Sequence, residues 1–193
     1  MFILLEICYE NNQIDVNRII SMGYKLVDYK NLSPNIHETV YLADGVVVIA
    51  GDVTIQEHAN IWFNSVIRGD VAKVTIGKNT NIQDGTVIHT SRFDGPTHIG
   101  SNITIGHMAL IHACSIEDNA FIGMQSTVMD KSIVEEYGFL GAGSLLSPGK
   151  IVRTNELWIG RPAKFVRMVT DEEKEFMKGN LQNYLDLATA YKN

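Results

Sequence analysis

The chain has 193 residues, a length that favours one domain with a sizeable core. A net charge of −6 and a pI near 5.5 exclude a general affinity for nucleic acid or anionic membranes, and leave a small molecule or another protein as the expected partner. The two cysteines, Cys8 and Cys114, make neither a disulfide framework nor a cysteine-type zinc motif, so the expected location is the reducing cytoplasm.

The first predicted element is an appendage over residues 1–21. "MFILLEICYENNQ" opens on an apolar run, but it has no basic leader, Glu6 interrupts it, and no small-residue cleavage site follows. It therefore does not read as a signal peptide, and no stretch of the chain is long enough for a membrane helix. An arm or helix is expected here, with residues 22–193 as a single β-helix domain.

From residue 36 to about 151 an aliphatic residue recurs every six positions. The series runs Ile36, Leu42, Val48; Ile55, Ile61, Ile67; Ile76, Ile82, Ile88; Ile99, Ile105, Ile111; Ile116, Ile122, Val128; Val134, Leu140, Leu146. A helix does not repeat at six and a lone strand repeats at two. Hexads punctuated by glycine and asparagine, as in "IGKNTN" and "IGSNIT", are the signature of a parallel β-helix. Each hexad is a short strand and a corner, and three close one triangular coil of about eighteen residues, giving about six coils. The phase break "TSRFDGPTH", residues 90–98, is expected to bulge outward. The fold class is all-β, a hexapeptide-repeat prism.

The pattern stops after Pro148. A C-terminal α-helix is predicted over about 170–192, started by a Thr170/Glu173 capping box and carrying an apolar stripe of Met177, Leu181, Tyr184, Ala188 and Tyr191. Gly179 weakens it by about 1 kcal/mol relative to alanine. The stripe is expected to lie along the prism.

The repeat also sorts the polar residues. In "TIGHMALIH" the histidines His107 and His112 are five apart, so neither a helix nor one strand turns them the same way. By hexad, however, His89 and His112 each follow the third aliphatic residue of successive coils, and stack one strand spacing apart, about 4.8 Å. His107 belongs to the second hexad and to another corner. A threefold homotrimer reconciles them: the His89/His112 edge of one chain faces the His107 edge of the next, making three intersubunit metal sites. Arg68 falls in line with His89 and His112, and Asp84 with His107, so the same symmetry pairs Arg68 with Asp84 of the next chain. His37, His58 and His98 read as solvated corner groups.

The stretches "IWFNSVIRGD", "NIQDGTVIH", "TIGHMALIHACSI", "AFIGMQSTV" and "LWIGRPAKFVR" together resemble the gamma-class carbonic anhydrase family, and more closely its short-loop bacterial branch, over about residues 23–192. The resemblance implies a left-handed parallel β-helix trimer with a C-terminal helix. It implies that His89, His107 and His112 ligate Zn2+ (or Fe2+), that Arg68 and Asp84 form the intersubunit pair, and that Gln83 and Asn81 orient hydroxide and substrate. The expected activity is that of a lyase of the carbonate dehydratase type, with a metal-bound hydroxide attacking carbon dioxide to give bicarbonate. One departure bears on rate. The glutamate that shuttles protons in the archaeal type member is replaced here by Val71, so proton exit falls to Asp94, His98 or Tyr184, and turnover is expected to depend on buffer. The alternatives are a hexapeptide-repeat acyltransferase, with one histidine as general base, and a metal-binding trimer without hydration activity.

Overall fold

The computed structural model describes residues 23–49 and 51–192; the appendage expected at 1–21 lies outside the described residues. The hexads become short parallel strands that wind into a left-handed β-helix with three faces. The first face stacks Lys25–Val27, Val47–Ile49, Val66–Arg68, Val87–His89, Leu110–His112, Thr127–Val128 and Leu145–Leu146. The second runs from Asn35–Ile36 to Ile151–Val152, and the third from Tyr41–Leu42 to Glu156–Gly160, where the antiparallel strand Ala163–Met168 closes the sheet. The first and second faces each hold seven strands against the six coils expected: Lys25–Val27 pairs with Val47–Ile49 ahead of the first recognisable hexad, and Ile151–Val152 pairs with Ile133–Val134 after the last.

The aliphatic hexad residues stack in register through the interior: Ile67, Ile88, Ile111, Val128 and Leu146 form one such column, all fully buried. Each contributes about 1.5–3 kcal/mol by leaving water. Period two within each strand then fixes what lies outside, since the residues flanking a core isoleucine must face outward. At the corners the chain turns through left-handed residues, many of them asparagine (Asn64, Asn79, Asn102, Asn119), whose short side chain tolerates positive φ. The 90–98 insertion does bulge: Ser91 and Gly95 close a small excursion through reciprocal backbone bonds of 3.1 Å, with Phe93 at its exposed tip.

The C-terminal helix, Asp171–Lys192, starts as its capping box dictates. Thr170 Oγ1 accepts from the Glu173 N–H at 3.2 Å, and Glu173 Oε2 accepts from the Thr170 N–H at 2.9 Å. It lies along the third face. Met177 packs with Leu157, Val169, Phe121 and Phe139 at one end. Tyr184 and Tyr191 pack on Trp62 at the other, with ring centroids 5.3 and 5.5 Å away. Among the described residues, no helix is long and apolar enough to cross a membrane.

Candidate functional site

Because Ile88 and Ile111 fill the core, His89 and His112 project from the first face. They are direct register partners with ring centroids 5.2 Å apart. His107 sits at the corner after Thr104–Ile105. Its approach requires Gly106: a Cβ there would lie 2.5 Å from the backbone nitrogen of Met124 in the next coil. The prism therefore brings His89 and His112 together and holds His107 apart. Among the described residues, no three histidine, cysteine or carboxylate side chains of one chain come close enough to hold a metal ion.

Each of these imidazoles has a carboxylate partner. His107 Nδ1 lies 2.8 Å from Asp84 Oδ2. His112 Nδ1 lies 3.0 Å from Asp130 Oδ1. In both, a carboxylate accepting from Nδ1–H leaves Nε2 with its lone pair, the arrangement that prepares a histidine for a metal. His89 is turned the other way: Nε2 bonds Asp70 Oδ1 at 3.1 Å, and Nδ1 lies 3.3 Å from Arg68 Nη2. Burial, with Arg68 and His112 nearby, pulls the His89 imidazolium pKa down against the opposing pull of Asp70, favouring the neutral ring that ligates. Burial works to raise the Asp70 carboxyl, but its bonds to Arg68 and His89 outweigh this and hold it below its ordinary value.

Gln83 and Asn81 lie beneath His107 in a committed network. Gln83 Oε1 accepts from the His107 backbone N–H at 3.2 Å, and Gln83 Nε2 donates to Asn81 Oδ1 at 3.2 Å. Asn81 Nδ2 donates to Thr104 Oγ1 at 2.9 Å. Asn81 is fully buried, so its contact is with Gln83, which it orients with one amide hydrogen still free. From the helix, the Tyr184 hydroxyl comes within 3.3 Å of His107 Nε2. Burial raises its pKa above the ordinary tyrosine value, so the phenol stays protonated and acts as a donor.

Arg68 pairs within the chain with Asp70, at 2.9 Å, while Asp84 is taken up by His107; Arg68 and Asp84 stand on the first face and at the third-face corner respectively. His37, His58 and His98 are exposed, and His98 Nδ1 bonds Thr75 Oγ1 at 2.7 Å on the second face, away from His89 and His112. Asp94 forms a 2.6 Å ion pair with Lys131, which holds its carboxyl below the ordinary value. Reasoning from the sequence missed Asp70 and Asp130 as histidine partners. Asp130 had a legible signal: it follows His112 by eighteen residues, one coil.

Comparison with known proteins fits this architecture. No family model matches the chain. A Geobacillus kaustophilus protein named carbonic anhydrase is 42% identical over 164 residues, covering 85% of this chain and 89% of that one. The mitochondrial gamma carbonic anhydrase 2 of Arabidopsis thaliana is 41% identical over 174 residues, covering 88% of this chain; the chain spans 62% of that relative's length. Among solved structures, a hexapeptide transferase family protein from Anaplasma phagocytophilum superposes with a TM-score of 0.83 at 48% identity, over 86% of this chain and 98% of that one.

Proposed function

This chain belongs to the gamma carbonic anhydrase family, and we propose that it hydrates carbon dioxide reversibly to bicarbonate at sites shared between copies of a homotrimer. The observation that carries the proposal is the carboxylate-backed presentation of the histidines: His89 and His112 as a stacked pair on one face, His107 at a distant corner. A three-imidazole set thus takes His89 and His112 from one copy and His107 from its neighbour. The donor set suits Zn2+, and Fe2+ equally. Beside the pair, Val87 and Leu110 project from the same strands, each 39% exposed, an apolar surface that favours contact with another copy.

Bound by these imidazoles, such an ion acts as a Lewis acid that lowers the pKa of water to about 7. The chain's own residues do the rest. Gln83, fixed by Asn81 and the His107 backbone, keeps one amide N–H beyond its bond to Asn81, which would donate to an oxygen of the reactant. The Tyr184 hydroxyl, which here meets His107 Nε2, would be freed when that nitrogen ligates and could then serve as a second donor. Proton exit is poorly served. Asp94 is tied to Lys131 and held acidic, His98 lies on another face, and the Tyr184 phenol is shifted above its ordinary range. Neither the Asp94 carboxylate nor the Tyr184 phenol matches a proton acceptor working near neutrality, and His98 is set apart by its position. Turnover therefore rises with imidazole buffer.

Stopped-flow hydration, with metal quantified in the same sample, tests the proposal against the His107→Ala variant. Metal-dependent hydration that is lost in the variant supports it. A full metal load without hydration overturns the reaction and leaves a metal-binding trimer. Stoichiometric protein without metal, active on an acyl thioester, would favour the transferase reading that the description of the Anaplasma relative suggests.

A further inference from the structure

We propose that Asp130 is the positioning residue for His112, fixing the tautomer and ring orientation in which Nε2 faces the metal. The inference rests on the ligand assignment proposed above. Asp130 Oδ1 lies 3.0 Å from His112 Nδ1, and the two side chains are only 18% and 27% exposed. A carboxylate at that distance accepts from Nδ1–H and leaves the lone pair on Nε2.

The backbone that carries this carboxylate is fixed on both sides by bonds to other coils. The carbonyl of Asp130 accepts from the Gly149 N–H at 2.9 Å, one coil on. The N–H of the next residue, Lys131, donates to the Ala113 carbonyl at 2.7 Å, in the turn directly after His112. Lys131 and Ala113 are both left-handed, with φ of 59° and 44°, so the two turns nest and bring Asp130 over the ring. The Lys131 ammonium then reaches the 91–95 excursion through its 2.6 Å pair with Asp94. That pair is exposed and adds little energy, but it ties the excursion to the same corner.

Asp130 differs from Asp84 in a useful way. Asp84 backs His107 and also stands in line for the proposed bond to Arg68 of another copy, so its replacement would disturb assembly as well as the ring. Asp130 contacts His112 alone among the three histidines. Its removal should therefore affect the ligand and leave the oligomer intact.

The test uses the full-length protein with two readouts. In metal-free protein labelled with 15N-histidine, at a pH above the imidazole titration range, His112 is expected to be the Nδ1–H tautomer. In Asp130→Ala it reverts to the Nε2–H form. After loading with Zn2+, chelator competition is expected to show about 10–100-fold weaker binding in Asp130→Ala, with the mass of the assembly unchanged. Asp130→Asn keeps an acceptor oxygen, is expected to lose less, and serves if the alanine variant does not fold. An unchanged tautomer together with unchanged affinity in Asp130→Ala overturns the proposal. A wild-type protein that binds no Zn2+ overturns the ligand assignment instead, while the tautomer still decides whether Asp130 holds the ring.

Discussion

His107 Nδ1 lies 2.8 Å from Asp84 Oδ2, a bond between adjacent coils of one corner, while His89 and His112 stack on a different face. On the proposed function, one chain supplies two partial ligand sets, each with its own carboxylate support, and a neighbouring copy completes each. Cooperation between copies is the direct consequence, and it can be tested without knowing the native metal.

Mixed assemblies test the division. His107→Ala lacks one half-site and His89→Ala the other, so each alone should be inactive in hydration. Refolded together in equal amounts, about a quarter of the interfaces in a random cyclic trimer pair two intact halves. Hydration is expected to return to about that share of wild type by stopped flow. No recovery from verified mixed trimers would place the whole site within one chain.

Trp62 is the aromatic centre that seats the helix. It is 4% exposed, packs against Tyr41, Phe63, Tyr184 and Tyr191, and donates from Nε1 to Asn60 Oδ1 at 2.8 Å. Trp62→Ala is expected to cost about 3–5 kcal/mol in denaturant unfolding. It should also loosen Tyr184 from His107, seen as a pKa of the phenol falling back toward its ordinary value in ultraviolet titration.

The helix start carries a pH-dependent contribution. Arg167 binds both carboxylate oxygens of Glu173 at 2.8 Å, and this bond, with the Thr170 N–H, lowers the Glu173 pKa from 4.5 to about 2. A group more acidic in the folded state stabilises it above the unfolded pKa, and that stability disappears as pH falls through the folded value. Glu173→Gln keeps the cap and removes the charge. Its melting temperature should sit below that of wild type at neutral pH, with the gap narrowing from about pH 4.5 downward. Because the pair is partly exposed, the gap is small and shrinks in high salt.

Gly179 stands in the middle of the C-terminal helix, and a Cβ added there would meet nothing within 4 Å. Gly179→Ala should raise stability by about 1 kcal/mol, by helix propensity and lower entropy of the unfolded chain. In calorimetry this corresponds to about 2–4 °C for a chain of this size.

The sequence by itself determined the prism, because in a hexapeptide repeat the register is the period. Once Ile88 and Ile111 are placed in equivalent hexads, the pairing of His89 with His112 follows, and so does the separation of His107. The capping box of Thr170 and Glu173 was equally legible, since it is local. What only the tertiary structure decided are contacts that cross the period. Asp70 reaches His89 from a corner nineteen residues away, and although Asp130 lies one eighteen-residue coil from His112, the turns that aim both carboxylates at the rings have a shape the hexad count does not specify. Tyr184 meets His107 because the helix docks through the aromatic cluster around Trp62, and docking of one apolar stripe on a prism face is set by side-chain packing rather than by any spacing in the chain.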